Sequence, residues 1–400
     1  MELELLGVDR GVRSARVALD PPPVGAAGTA ASAAVTVPQL ERLRSLDTFR
    51  GITIAAMIVV NNPGTWDHVY GPLQHAAWNG WTPTDLIFPF FLFIIGVSIT
   101  FSLEQRRGRG GRNRDIIWNV ARRTLLIFAL GIFLNGFPLF DWSVLRIPGV
   151  LQRIALCYGV ASLVVLTWDV RGQCLSALVL VIGYWMVMAL LPTDGATPEA
   201  TVGARIDDLL LHGHLLHDGW DPEGVLSTLP AIATTLVGVL AGHWLRSPRD
   251  ASARVAGLAV AGIAAVGVGL VMDRWCPINK NLWSASYVVF TAGAALGGLA
   301  VCSWLVDVCG YRRWATPFIV YGMNPIVAYV LSTLIAKEMF LWRVPRSDGS
   351  VLDLHSYIFE SVFLPLARPV DASLLYAVAY TFVWLGVAAV LYRNRVLIKI

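Results

Sequence analysis

Between Asn61 and Asp85 the chain collects groups that can do chemistry. Asn61, Asn62, His68, Gln74, His75, Asn79 and Asp85 stand among Trp66, Trp78 and Trp81, and the stretch holds no Lys or Arg. An imidazole is half-titrated near neutral pH, so His75 can act as a general base or accept an acyl group itself. Asp85 follows ten residues later and offers a carboxylate that can orient the ring and stabilise its charged form. The bland alternative is a solvated histidine beside interfacial tryptophans.

Other polar groups stand in or against apolar surroundings. Asp47 and Arg50 have the i,i+3 spacing of one helix face, which suits either a helix-start pair or a charge pair holding a cleft. Arg146, Gln152 and Arg153 lie in Arg146-Ile147-Pro148-Gly149-Val150-Leu151-Gln152-Arg153. Arg153 either snorkels or faces a polar cavity, where it could pair a carboxylate or phosphate. The link from Asp273 to Ser284, with Asn279 and Lys280, is polar at the outer surface and could line the same cavity. Asn324-Pro325 predicts a kink with a polar lining. His212, His214 and His217 are spaced so that they do not share one helix face, and no metal site is expected.

The elements that hold these groups follow from composition. The chain has 400 residues, 56% hydrophobic and 14% charged, with mean hydropathy +0.61. Soluble domains average about 25% charged, so the apolar excess points to lipid. A net charge of +4 excludes a nucleic-acid binder read from its field. One membrane helix needs roughly 20 apolar residues, and about ten such blocks recur. They lie near 47–62, 84–104, 116–137, 149–168, 173–191, 225–245, 253–272, 284–308, 316–336 and 373–392. The expected fold is therefore all-α, a polytopic transmembrane helical bundle spanning 39–400. Residues 1–38, rich in Ala, Gly and Pro, read as a disordered cytoplasmic tail. Arginines cluster at Arg106, Arg107, Arg109, Arg112 and Arg114. The positive-inside rule then places both termini in the cytoplasm and the His75 link outside. The five cysteines lack C-x-x-C spacing and read as small buried hydrophobes.

Several ordered stretches resemble the catalytic domain of the heparan-α-glucosaminide N-acetyltransferase family, within the transmembrane acyltransferases. They are Arg42-Leu43-x-Ser45-Leu46-Asp47-Thr48-Phe49-Arg50-Gly51, Val60-Asn61, His75-Ala76-x-Trp78-Asn79-Gly80 and Asp85-Leu86-x-Phe88-Pro89. Further along come Gly149-Val150-Leu151-Gln152-Arg153, Asp221-Pro222-Glu223-Gly224, Asn279-Lys280-Asn281-Leu282-Trp283 and Tyr321-Gly322-Met323-Asn324. The resemblance implies acetyl transfer from cytosolic acetyl-CoA, as co-substrate, to a sugar acceptor across a bacterial inner membrane. It puts the active-site histidine at His75, a polar partner at Asn61 and the carboxylate at Asp85. Asp47, Arg50, Trp78, Asn79, Arg146, Gln152, Arg153, Asn279, Lys280 and Asn324 become substrate-binding candidates. Arg122, Arg123, Arg312 and Arg313 are candidates for the CoA phosphates. Membrane lipid and a sugar are the expected partners, nucleic acid is not, and a homodimer is an open option. A sugar transporter or flippase without chemistry is the alternative from another class.

Overall fold

Each apolar block expected from the sequence forms a helix, and polar links join them. The structure, a computed structural model, describes residues 43–108, 110, 112–191, 197–346, 349–396 and 398. The expected tail, 1–38, lies outside the described residues. The helices are α1 (Arg44–Asn61), α2 (Ile87–Gly108), α3 (Asn113–Gly136), α4 (Val150–Thr167) and α5 (Val170–Leu190). They continue with α6 (Val202–Leu211), α7 (Thr228–Leu245), α8 (Ala251–Met272), α9 (Ala285–Ser303), α10 (Thr316–Met323) and α11 (Pro325–Leu341). After a small antiparallel hairpin, β1 (Arg343–Pro345) and β2 (Val351–Asp353), come α12 (Leu354–Ile358) and α13 (Pro369–Arg393).

Among the described residues, eight helices are long and apolar enough to cross a membrane. The pair α10–α11 makes a ninth if it counts as one span, bent by 82° at the expected Asn324-Pro325 break. Pro325 cannot donate to the helix ladder, so the turn breaks there. The expected first span, α1, has the length but carries Arg44, Asp47 and Arg50 and is not among the eight. The chain is a multi-pass helical membrane protein.

Burial sorts the helices into layers. In α7 nearly three-quarters of the span is inside the protein, while α3, α5, α8 and α13 turn most of theirs outward. Their outward residues, such as Trp118, Leu175, Ile263 and Phe382, are apolar, as a lipid-facing surface requires. Small residues let the inner helices touch. A Cβ on Gly96 of α2 would stand 1.9 Å from the Thr235 carbonyl of α7, and one on Gly238 would stand 2.1 Å from the Phe93 carbonyl. Between helices in lipid, this backbone-to-backbone packing is a main source of association. Cys174 and Cys309 depart from expectation. They are exposed, whereas Cys157 and Cys302 are buried.

The end of α1, the start of α2, the end of α8 and the start of α9 share the links 62–82 and 273–284. The start of α4 and of α7 carry the links 137–149 and 212–227. These four links meet at one end of the bundle, as the contacts below show.

Candidate active site

Asp85 sits in a one-turn 3-10 helix, Pro83–Leu86, that runs into α2. Its Oδ2 accepts the Thr82 amide at 3.0 Å, the return arm of a capping box, and the Ala76 amide at 3.0 Å. The Thr82 hydroxyl donates to the Gln74 carbonyl at 2.6 Å and folds the preceding loop over the turn. The Tyr287 hydroxyl of α9 donates to the Asp85 carbonyl. With Oδ2 and the backbone held, Oδ1 faces His75 Nδ1 at 2.7 Å. The Asp85 side chain is buried, and that of His75 is 52% exposed.

An ionised carboxylate only accepts. His75 Nδ1 therefore carries the hydrogen and donates, and Nε2 is left with the lone pair, with Lys280 Nζ 3.2 Å away. This is the geometry of an oriented base or nucleophile.

Lys280 closes the site from the other link. Asn279 shapes that link: its Oδ1 accepts the Leu282 amide at 2.9 Å, and its Nδ2 donates to Asn79 Oδ1 at 3.2 Å. The Gly80 amide donates to the Ile278 carbonyl at 2.7 Å and joins the two links by backbone. Trp283, at φ 53°, ends the turn, and its amide donates to the Lys280 carbonyl at 3.1 Å. A positive φ is unusual for a bulky residue, so its surroundings must hold it. The buried Trp283 ring does so, with Nε1 donating to Thr234 of α7 at 3.1 Å. Lys280 Nζ is thereby placed 3.2 Å from His75 Nε2 and 3.7 Å from Asp85 Oδ1. Burial pushes the Lys280 ammonium below the usual lysine range, although Glu223 and Asp85 favour its charge.

A second polar group lies inward. Arg146 grips Asp221 through Nε at 2.8 Å and Nη2 at 2.7 Å, and reaches Glu223. Burial pulls its guanidinium down, but the two carboxylates outweigh this and hold it above its ordinary value. Arg153, fully buried, donates to the Gly224 carbonyl at 3.2 Å and to Ser227 Oγ at 2.5 Å, and its guanidinium lies 5.0 Å from the Trp283 ring. Its Nε and Nη1 and the Gln152 Nε2 have no partner among the described residues.

The other candidates separate from this end. Arg50 donates to Asp47 at 2.8 Å, to Ser98 of α2 at 2.8 Å and to the Gly322 carbonyl of α10 at 3.2 Å. Ser98 is 13 residues beyond Asp85, or about 20 Å along the helix. Asn324 sits at the α10–α11 bend, where its Nδ2 donates to the Val396 carbonyl at 2.9 Å. Asp47, Arg50 and Asn324 therefore join α1, α2, the α10–α11 bend and the segment after α13 at a distance from the dyad. Asn61 is the last residue of α1 and exposed, and no hydrogen bond joins it to His75 or Asp85 among the described residues. Arg122 and Arg123 are exposed on α3, Arg123 lying 4.8 Å from the Tyr158 ring, and Arg312 and Arg313 are exposed in the link before α10. The three clustered histidines turn to different partners: His212 to Asp208, His214 to the Leu145 carbonyl, and His217 against the Trp220 ring.

Asp221 and Glu223 were not anticipated as site residues. They lie 75 and 77 positions from Arg146, and such spacing leaves no local signal.

Fold and site together define a polytopic membrane protein with a His–carboxylate dyad on a link at the mouth of its helices. Residues 42–276 match the family model described as the catalytic region of heparan-alpha-glucosaminide N-acetyltransferase, and the chain belongs to that family. It is 31% identical over 425 residues to the human heparan-alpha-glucosaminide N-acetyltransferase and 29% identical over 423 residues to the mouse protein. Each comparison covers 90% of this chain and 60% of the relative, so the chain spans about three-fifths of the length of these relatives. Asn279 and Lys280 fall just beyond the family-model match.

Proposed function

We propose that the chain is a transmembrane acetyltransferase that passes an acetyl group from cytosolic acetyl-CoA to the amine or hydroxyl of a sugar across a bacterial inner membrane. The observation that carries this reading is the 2.7 Å contact of His75 Nδ1 with a buried Asp85, which leaves Nε2 presented at the mouth. The relatives' names, which specify acetyl transfer to a glucosaminide, support it. The arginine-rich end of α2 supports the sidedness, with termini and CoA on the cytoplasmic face.

The thioester supplies an activated acyl carbon. As the acceptor's amine or hydroxyl bonds to that carbon, His75 Nε2 receives its proton; the C–S bond then breaks and CoA leaves as a thiolate that takes the proton back from the ring. Alternatively Nε2 attacks first and expels the CoA thiolate, and the acetyl-imidazole passes its acetyl group to the acceptor, whose proton returns the ring to its starting form. Asp85 fixes the ring's tautomer and orientation on either route. The negative oxygen of the tetrahedral state needs donors, and Lys280 Nζ is the cation placed beside the reacting nitrogen. Arg122, Arg123, Arg312 and Arg313 are the exposed cations proposed for the CoA phosphates.

Full-length protein reconstituted in liposomes with radiolabelled acetyl-CoA tests the proposal. Glucosamine-dependent CoA release is expected, falling by about 100- to 10,000-fold in His75→Ala. Sugar uptake without CoA release would instead mark a transporter. Full turnover in a folded His75→Ala protein would remove His75 from the mechanism.

A further inference from the structure

Arg153 is a cation that the chemistry above does not use. It stands in the first turn of α4 and is only 2% exposed, so it acts on the mouth through other residues. No carboxylate pairs with it among the described residues, since Asp221 and Glu223 are held by Arg146. Its Nη2 serves the Gly224 carbonyl and Ser227, while Nε and Nη1 have no hydrogen-bond partner among the described residues. The guanidinium lies instead over the Trp283 ring, 5.0 Å from its centre. Indole is the best ring partner for a cation, and the attraction grows when both are out of water.

Trp283 is the hub between Lys280 and the dyad. Its ring is buried and meets Phe88 and Tyr287 edge to face, with ring centres 5.1 and 5.3 Å apart. Phe88 lies three residues beyond Asp85, and the Tyr287 hydroxyl donates to the Asp85 carbonyl. Nε1 is anchored on Thr234 at 3.1 Å. The backbone of the same residue, at φ 53°, closes the Lys280 turn through its amide. A bulky residue keeps such a φ only where its surroundings over-determine it. With the guanidinium removed, or the ring cut back, the turn is free to relax and its hold on the Lys280 carbonyl goes. Nζ then leaves the imidazole for water.

We propose that Arg153 and Trp283 are positioning residues for Lys280. The guanidinium holds the indole, the indole holds the turn, and Nζ is thereby kept 3.2 Å from His75 Nε2. The kinetic consequence rests on the acetyltransferase reading, and the placement of Lys280 does not.

The chain has three lysines, so labelling of Lys280 by fluorodinitrobenzene is resolved by mass spectrometry. Its labelling rate against pH, in the full-length protein, reads its ionisation without any turnover. In the wild-type protein the midpoint is expected below the ordinary lysine range, because burial disfavours the charge although Glu223 and Asp85 support it. Arg153→Gln would raise the midpoint by either of two routes, since the Arg153 charge also opposes the Lys280 ammonium through space. The deciding variants therefore leave Arg153 in place. Trp283→Leu should raise the midpoint by about one pH unit or more. Thr234→Val, which keeps the shape and removes only the acceptor of Nε1, should raise it less, and thermal melting would identify a variant that misfolds. In kinetics, Trp283→Leu should lower kcat/KM at least about tenfold in the wild-type background and much less in a Lys280→Met background, the non-additivity of residues that act as a unit. Strictly additive losses, or a midpoint unmoved by both variants in a folded protein, would overturn the positioning role and leave the acetyltransferase standing. A midpoint that moves as expected in a protein that releases no CoA would do the reverse.

Discussion

Lys280 Nζ lies 3.0 Å from Nδ1 and 3.2 Å from Nε2 of His75, two residues 205 positions apart in the chain. The lysine is held over the imidazole by the Asn279 turn and not by local sequence. Burial depresses its ionisation, so it loses its proton at lower pH than an ordinary lysine. A charge it supplies in the transition state is therefore lost at lower pH than an ordinary lysine would lose it. Lys280→Arg, which stays charged, should extend the alkaline limb of kcat/KM to higher pH. Lys280→Met should lower kcat/KM about 100-fold or more, the scale for losing one oxyanion donor. A pH profile from 6 to 10 decides it, and an unmoved alkaline limb in Lys280→Arg would refute the role.

Asp85→Asn keeps the shape but presents an amide to His75 Nδ1 and no longer selects the tautomer with Nε2 free. Turnover should fall by about 100- to 10,000-fold. With the amide nitrogen facing Nδ1, the amide oxygen takes the place of Oδ2 and still accepts the Ala76 and Thr82 amides, so the melting temperature should change little. Thermal melting beside kinetics shows whether the loss of turnover comes without a loss of fold. Near-wild-type turnover would mean that the ring needs no carboxylate.

How much of this was legible beforehand differs by residue. His75 and Asp85 sit ten positions apart in one link, so a local reading could pair them. The helices were legible because lipid demands long apolar runs, and α1 was predicted at 47–62 and found at 44–61. Lys280 and Asp221 were opaque as partners, because folding and not spacing brings them to His75 and Arg146. Asp47 and Arg50 illustrate an ambiguity of another kind. An i,i+3 charge pair looks the same as a brace or as a cleft, and only the fold shows that Arg50 also meets Ser98 and the Gly322 carbonyl.

Arg146→Ala should destabilise the mouth more than any other single deletion of a charge there. It leaves Asp221 and Glu223 buried without their cation, and breaking a buried pair costs roughly 3–5 kcal/mol. Adding Asp221→Asn should recover part of the loss, because it removes one stranded charge. A double-mutant cycle on melting temperature measures this. Strictly additive losses would show that the pair is not coupled.

Gly238→Ala offers a test of the packing that supports the whole site. The new methyl would press on the Phe93 carbonyl of α2, and helix backbones have no slack at 2.1 Å. α2 would have to move, and with it Asp85 at its start. Gly267→Ala on α8 adds the same methyl where nothing lies within 4 Å. Both exchanges raise intrinsic helix propensity by about 1 kcal/mol, so propensity cannot explain a difference between them. Gly238→Ala is expected to lower the melting temperature and reduce kcat/KM, while Gly267→Ala leaves melting unchanged or raises it. Equal melting temperatures for the two variants would show that α2 and α7 are not locked together by this contact, and the position of Asp85 would then need another support.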